Sequence, residues 1–314
     1  MEQKNSGWER EVLERLAFAS LNEQRKARRW GIFFKLFFAI YLLVLLILSL
    51  SDRWGPTGLA SRYTALIDLE GVIDSSSRAS ADNVISALRA AFESKATAGV
   101  ILRANSPGGS PVQAGYINDE ITRLREKYPD VPVYAVISDI CASGCYYVVA
   151  AADKIYANKA SIVGSIGVLI DGFGFVDAMN KLGIERRLLT AGENKALLDP
   201  FSPLSPRHRR YFQEMLKDIH TQFIDQVKEG RGDVLKNNKE LFSGLVWTGD
   251  KAKELGLVDD LGSASYVARE VIGVEEIVDF TVKENLFNRF ADRIGATMAK
   301  TLGTELMART PSLK

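Results

Sequence analysis

The sequence predicts an α/β domain with a mainly parallel sheet, preceded by one apolar helix. Short β-branched runs alternate with segments of helical spacing, beginning with a strand at 63–69 and a helix at 80–95. Such alternation favours parallel strands joined by right-handed crossovers. An apolar stretch at 31–50 precedes these elements and is long enough to span a bilayer as a helix.

The composition argues against several classes of function. The charges of the 314 residues nearly cancel, with a net charge of +1. The chain therefore has no overall positive electrostatic field that would favour a nucleic-acid partner. The chain has only two histidines, His208 and His220, and two cysteines. Because HExxH and CxxC spacings are both missing from the sequence, we expect no metal and no cofactor.

The apolar stretch is predicted to be an uncleaved transmembrane anchor at 31–51. Lys35 interrupts its apolar residues, and four basic residues precede it: Arg25, Lys26, Arg28 and Arg29. The positive-inside rule then places residues 1–30 in the cytoplasm and the remainder on the extracytoplasmic (periplasmic) side of the inner membrane. A cleaved signal peptide is the competing interpretation, but the run is longer than usual and no small-x-small site follows it.

Beyond the anchor, the sequence predicts a linker at 52–62, one domain at 63–283, and a helical or flexible tail at 284–314. The linker contains Gly55, Pro56 and Gly58. Further strands are predicted at 99–103, 132–138, 154–157 and 185–189, and further helices after Pro111, after Ser143 and at 206–229. The apolar stripe of the last helix is predicted to serve packing or subunit contact; its residues are Tyr211, Met215, Ile219 and Phe223.

A serine lies where a predicted strand meets a predicted helix. Ser143 follows the strand Val133–Ile137 and precedes an apolar run that begins at Tyr146. On a tight turn the hydroxyl can project into a cleft as a nucleophile, beside the free N–H groups of the helix start. A helix N-cap is the structural alternative.

Cys141 and Cys145 flank this serine. In an oxidising compartment they could form a disulfide, but a bridge across a strand-to-helix junction has unfavourable geometry. We therefore expect two small, buried, unbridged side chains.

A glycine loop is expected close to Ser143. The segment Asn105-Ser-Pro-Gly-Gly follows a predicted strand and lacks the GxxxxGK[ST] and GxGxxG patterns of phosphate loops. Ligands on parallel sheets bind at the carboxyl ends of strands. There the N–H groups of the loop, together with that of Gly144, could form an oxyanion hole. A plain tight turn is the alternative.

A serine nucleophile needs a base, and with histidines scarce a lysine whose amine is kept neutral by burial can serve. Lys195 follows the turn Ala191-Gly192 and precedes apolar residues at 196–201 that could shield it. Lys154 and Lys159 lie in more polar runs. A solvated surface lysine is the alternative for Lys195.

Five motifs, taken in order, resemble those of the bacterial signal peptide peptidase A family of membrane-anchored serine proteases. They are Asn105-Ser-Pro-Gly-Gly, Ala142-Ser-Gly-x-Tyr-Tyr, Gly164-Ser-Ile-Gly-Val, Lys195-x-x-x-Asp-Pro-Phe and Gly256-Leu-Val-Asp-x-Leu-Gly. The resemblance covers roughly residues 60–273. It implies the fold shared by the Clp protease and the crotonases, with repeated β-β-α and β-α units, and a Ser-Lys dyad without histidine.

Carried over to this chain, the resemblance makes Ser143 the nucleophile and Lys195 the general base and acid. Ser165 would orient the lysine. Gly109 and Gly144 would supply the oxyanion N–H groups.

The resemblance also implies an assembly and a substrate. Family members of this length form homo-oligomeric rings in which the lysine serves a neighbour's serine. We expect a membrane-anchored endopeptidase that cleaves apolar peptides such as remnant signal peptides. At position 145 this chain has a cysteine where the family usually has glycine, and this side chain could narrow the substrate cleft. If the glycine loop is offset by one residue, Gly108 would be the oxyanion donor instead of Gly109.

Three other functions stay open at this point. The first is a protease that regulates a membrane partner, like the stomatin-associated proteases. The second is a crotonase-fold acyl-CoA enzyme, and the third is a non-catalytic membrane scaffold.

Overall fold

The computed structural model describes residues 6–51 and 62–283, and the chain divides into two units at Ser61 and Arg62. The first unit contains one helix, α1 (Ser6–Ser51). Its segment Glu23–Leu46 has a mean hydropathy of 1.9 and is long and apolar enough to cross a membrane. This is consistent with a single-pass membrane protein. The predicted linker, apart from residue 62, and the predicted tail at 284–314 lie outside the described residues.

The second unit is built on one sheet, which is parallel in all its strand pairs except one. Eight strands form it within the described residues. They are β1 (Tyr63–Glu70), β2 (Thr97–Ser106), β3 (Val133–Ala142), β4 (Lys154–Ala157), β5 (Ile162–Gly164), β6 (Val246–Thr248), β7 (Asp260–Leu261) and β8 (Ile277–Asp279). The order is β6-β5-β3-β2-β1-β8, with β4 pairing with β3 and β7. Only β5 and β6 run antiparallel, so the predicted parallel α/β architecture is confirmed.

Seven further helices accompany the sheet in the described part of the second unit. They are α2 (Ala81–Glu93), α3 (Pro111–Lys127), α4 (Gly144–Val149), α5 (Val176–Leu182), α6 (Pro206–Arg231), α7 (Gly249–Glu254) and α8 (Ala264–Tyr266), the last continuing into a π-helical turn, Val267–Ile272. Serine begins several of them by accepting a hydrogen bond from a backbone N–H three residues on. Ser80, Ser110 and Ser205 act in this way.

The central strands are buried on both faces, as parallel crossover connections require. Successive side chains of a strand point to opposite faces. Val100 and Leu102 of β2 therefore join the main core beneath α2, α3 and α4, while Ile101 joins a smaller cluster with Val267 and Ala268. The main core also contains much of α4, so the helix after Ser143 is fixed in the interior.

One predicted strand is wrong. Residues 185–189 have no regular secondary structure, and their side chains are exposed. No strand of the described chain lies beside them to supply backbone partners. A β-rich composition without such a partner does not make a strand.

The stripe of α6 has an uneven environment. Phe223 is buried in the main core, whereas Tyr211, near the start of the helix, is exposed. The end of the helix therefore packs against the core, as predicted, and the first turns leave apolar surface uncovered.

An acidic side chain on α3 offers a test of this packing. Glu120 has 8% of its side chain exposed and accepts hydrogen bonds from Arg123 at 2.6 and 2.8 Å and from Arg89 at 2.7 Å. The hydrogen bonds from Arg123, and then those from Arg89, lower the pKa of Glu120 from 4.5 to about 2. A carboxyl whose pKa is lower in the folded state stabilises the fold above its unfolded pKa, and that stabilisation is lost as the pH falls toward the folded pKa.

We expect Glu120→Gln to lower the free energy of unfolding at pH 7 by about 1–2 kcal/mol. The difference from wild type should shrink as the pH falls from 4.5 toward 2. Urea unfolding of the full-length protein in detergent at several pH values measures both effects. Glu126→Gln, an exposed position on the same helix, is the control; an equal loss in both variants would contradict the role of Glu120.

Candidate active site

Ser143 lies between β3 and α4 in a backbone conformation that side chains rarely adopt. Its φ is 53° and its ψ is −125°, a region that costs a non-glycine residue of order 1–3 kcal/mol. Its N–H donates to the carbonyl of Gly164 at 2.9 Å, and its carbonyl accepts from the N–H of Tyr147 at 3.1 Å. The serine is thus held from β5 on one side and from α4 on the other.

The hydroxyl of Ser143 does not cap the helix that follows it. Its side chain makes no capping hydrogen bond, whereas the extended backbone of a capping serine such as Ser80, with φ −64°, turns the side chain toward the helix N–H groups. The positive φ of Ser143 turns its side chain elsewhere. Ser143 is therefore not an N-cap, and the side chain of this half-buried residue does not stabilise the start of the helix.

The glycine loop lies directly against this turn. A Cβ on Gly108 would be 2.6 Å from the carbonyl oxygen of Ala142, 2.7 Å from the nitrogen of Gly144 and 2.8 Å from the Cβ of Ser143. A Cβ on Gly109 would be 2.2 Å from the carbonyl oxygen of Ile73. Both positions have positive φ, so only glycine fits at 108, against the serine turn, and at 109, against Ile73.

The two glycines of the loop use their N–H groups differently. The N–H of Gly108 donates to the hydroxyl of Ser106 at 3.1 Å. Gly109 pairs with Ile73 in an isolated parallel bridge. In that bridge the bonds come from the N–H of Ile73 to Gly108 and from the N–H of Ser110 to Ile73.

The N–H of Gly109 therefore points to the other side, where its nitrogen would be 3.2 Å from a Cβ on Gly144. Among the described residues, neither this N–H nor that of Gly144 donates a hydrogen bond. Two unused N–H groups thus lie together at the start of α4.

Ser165 is positioned next to Ser143 by strand pairing. Gly164 is paired with Ala142 at the ends of β5 and β3, and Ser165 follows it. The N–H of Ser165 donates to the carbonyl of Leu245 at 2.7 Å. Among the described residues, Ser143 and Ser165 are the only non-glycine residues with positive φ, and both carry hydroxyls at neighbouring strand ends.

Lys195 is not brought to these serines within the described chain. It lies in a turn that its own N–H helps to close by donating to the carbonyl of Gly192 at 3.1 Å. Its side chain is exposed, so residues 196–201 do not shield it in one subunit. Within the described residues its amine forms no hydrogen bond with Ser143 or Ser165.

The segment that carries Lys195, residues 167–205, forms what we call the arm. Apart from α5 it has no helix or strand, and none of α5 is buried. The N–H of Phe175 donates to the carbonyl of Pro200 at 2.7 Å, and the rings of Phe175 and Phe201 stack at 5.4 Å, which joins the two halves of the arm. Several large apolar side chains remain mostly exposed: Leu169, Phe173, Leu182 and Leu189.

The expectation of two unbridged cysteines is wrong. Cys141 and Cys145 form a disulfide across the turn, with a Cα–Cα distance of 5.1 Å, within the range that a disulfide spans. The positive φ of Ser143 reverses the chain tightly enough to bring the two cysteines together. Both side chains are completely buried.

Three contacts that the sequence did not indicate support the site. The side chain of Asn105 joins the ends of two strands, donating to Asp139 at 3.1 Å and accepting from the N–H of Ile140 at 3.3 Å. The hydroxyl of Tyr146 donates to the carbonyl of Leu257 at 2.7 Å, so the motif at 256–262 packs against α4.

The third contact concerns a histidine. Nε2 of His220 lies 3.1 Å from the carbonyl oxygen of Ile166. A carbonyl only accepts, so this ring nitrogen donates and is not available as an acceptor for a serine proton.

Comparison with known proteins connects this site to a peptidase family. The model of peptidase family S49 matches residues 125–275, which include the turn at Ser143 and the arm. The sheet is consistent with the Clp-protease-like fold of that family. Over 186 residues the chain is 43% identical to the "Na(+)/H(+) antiporter NhaA" of Brucella abortus, covering 59% of this chain and 25% of that protein. Three quarters of that protein therefore lies outside the match.

Two further relatives carry protease names. The chain is 32% identical over 202 residues to the "Putative signal peptide peptidase SppA" of Enterococcus faecium, which covers 64% of this chain and 58% of that protein. It is 34% identical over 199 residues to a "Putative protease" of Synechocystis sp., which covers 63% of this chain and 69% of that protein. Given this coverage, and the family model that spans the serine turn, the chain belongs to peptidase family S49.

Proposed function

We propose that this protein is a membrane-anchored serine endopeptidase whose nucleophile is Ser143. One observation carries the proposal: a strained serine with no capping duty lies beside two unused N–H groups, those of Gly109 and Gly144. A nucleophile adjacent to two converging donors is the arrangement that acyl transfer requires. Because the N–H of Gly108 already donates to Ser106, Gly109 is the better oxyanion donor.

The reaction proceeds in two halves. Lys195 accepts the proton of the Ser143 hydroxyl as Oγ attacks the peptide carbonyl, and the N–H groups stabilise the oxyanion. Lys195 then gives the proton to the leaving amine, which breaks the C–N bond and leaves an ester on Ser143. In the second half Lys195 takes a proton from a water molecule that attacks the ester carbonyl, and returns it to Oγ of Ser143 as the C–Oγ bond breaks, which releases the acid and restores both side chains. Ser165 orients the lysine amine.

The lysine is supplied by a neighbouring subunit of a homo-oligomeric ring. Within one subunit the amine of Lys195 is exposed, and the arm around it presents apolar side chains to solvent. Large exposed apolar surface marks an interaction site. Docking of the arm on the next subunit would cover this surface, exclude water from the amine and bring it to Ser143 and Ser165.

The substrates are apolar peptides at the membrane, such as remnant signal peptides. Three features support this: the apolar segment of α1, the exposed apolar side chains of the arm, and the name of the Enterococcus faecium relative. The disulfide at the nucleophile turn supports an extracytoplasmic catalytic domain, since disulfides persist in oxidising compartments.

Labelling by a fluorophosphonate probe tests the nucleophile and the base. We expect wild type to be labelled and to cleave apolar peptides, and both activities to fall at least about 1,000-fold in Ser143→Ala and in Lys195→Ala. The exposed positions Ser86 and Lys95, both outside the arm, provide matched controls, Ser86→Ala and Lys95→Ala, which should keep wild-type activity. Full labelling of Ser143→Ala would reject the assignment. Mass spectrometry of cleaved peptides distinguishes broad cleavage of signal peptides from cleavage of one membrane partner.

Mixing the two inactive variants tests whether subunits share the site. In a ring with one serine and one lysine from adjacent subunits, co-expression of Ser143→Ala and Lys195→Ala in equal amounts should restore about a quarter of wild-type activity, because one neighbouring pair in four is intact. The measurement is peptide cleavage by the co-purified oligomer. If the mixture is as inactive as each variant alone, the lysine does not come from a neighbour.

Membrane vesicles of known orientation test the topology. Because basic residues precede the apolar run, we expect the N-terminus in the cytoplasm, so protease added to right-side-out vesicles should digest the catalytic domain. Inside-out vesicles should protect it. An immunoblot against the domain reads the result, and the opposite pattern would contradict the predicted orientation.

A further inference from the structure

The disulfide joins the two residues that lie two positions before and two positions after Ser143. Cys141 is the penultimate residue of β3, and Cys145 is the second residue of α4. The bridge therefore closes a small ring that contains both the proposed nucleophile and Gly144, whose N–H is a proposed oxyanion donor.

Stabilisation of the whole fold is not the main effect of so short a bridge. A disulfide stabilises by restricting the unfolded chain, and its effect grows with the length of the loop that it closes. The sequence separation here is only four residues. The elements on either side are also fixed independently, since β3 pairs with β2 and β5 and the Tyr146 hydroxyl on α4 binds the carbonyl of Leu257.

What the bridge does restrict is the turn itself. Ser143 has a left-handed φ of 53°, and such a conformation persists only where its surroundings enforce it. Besides the disulfide, hydrogen bonds to Gly164 and Tyr147 hold this residue. Without the bridge the turn could relax toward ordinary φ values, and the Ser143 hydroxyl and the Gly144 N–H would move together.

We propose that the Cys141–Cys145 disulfide is a positioning element that holds Ser143 and the Gly144 N–H in reactive geometry, so that full activity requires the oxidised pair. This inference rests on the proposed function of Ser143. A displacement of the nucleophile by about 1 Å can cost up to about 100-fold in rate. Substrate binding, which depends on surfaces outside the ring, changes much less. The enzyme is accordingly weak in a reducing compartment and fully active in an oxidising one.

Reduction of wild type is the most direct test, because it removes one bond and no atom of the side chains. A dithiol reductant splits the Sγ–Sγ bond, adds two electrons and two protons to give two thiols, and becomes a disulfide itself. The chain contains only two cysteines, so any effect of the reductant on this protein comes from this pair. Because both side chains are buried, reduction is verified by alkylating the thiols after denaturation and weighing the protein.

The readouts are the rate of fluorophosphonate labelling and the kcat and KM of peptide cleavage, using full-length protein in detergent. We expect reduction to lower the labelling rate and kcat by about 10- to 100-fold, to change KM less than about threefold, and to be reversed by reoxidation. The variant Cys141→Ala/Cys145→Ala should show the same loss without reductant and no response to it. Circular dichroism and size-exclusion chromatography establish that both forms stay folded and assembled.

Three other outcomes are separable. If the reduced protein and the alanine variant are labelled at the wild-type rate, the positioning role is wrong while the assignment of Ser143 stands, even if melting temperatures fall. If oxidised wild type shows no labelling that depends on Ser143, the proposed function itself is wrong. If reduced wild type unfolds, the folded alanine variant alone decides, by its labelling rate.

Discussion

The left-handed backbone of Ser143 is the constraint on which the rest of the site depends. It directs the hydroxyl away from the helix that the residue begins, and it reverses the chain so that the flanking cysteines meet. The strain is tolerated because β5, α4 and the glycine loop each contact the turn. Ser165 follows the same logic at the neighbouring strand end, where a second positive φ is held by the carbonyl of Leu245. The concentration of strained residues at one point of a fold is typical of a functional site.

Much of the fold and half of the site could be predicted from the sequence, because their signals are local. Alternating apolar runs and helical spacing identified β1 to β4 and the helices between them, and Pro111 marked a helix start. Parallel strands bring their carboxyl ends to one edge, so the glycine loop and Ser143 could be expected together before any distance was known. The structure confirms that they are adjacent, because a Cβ added to Gly108 would collide with the turn at Ser143.

What the sequence did not reveal depends on geometry that a pattern does not encode. The disulfide follows from the sign of one φ angle, and a serine between alanine and glycine is compatible with either sign. A strand at 185–189 requires a neighbouring backbone, and none of the strands at 62–283 lies there. Shielding of Lys195 fails within one subunit for a related reason: the apolar residues near it face solvent rather than the amine. The wrongly predicted strand and the exposed Lys195 both lie in the arm, which we propose is covered only when a neighbouring subunit docks on it.

The short strand β6 affects when the edge of the sheet around β5 can form. β5 has only three residues and is paired on one side with β3 and on the other with β6, and the N–H of Ser165 is bound to Leu245, just ahead of β6. A three-residue strand with one partner has a weakly specified register. During synthesis on the ribosome, the turn at Ser143 is produced well before residues 245–248, which hold Ser165 and β5 in place. The end of the sheet that carries Ser143 and Ser165 therefore reaches its final geometry only after residues 245–248 have been synthesised and have added to the edge.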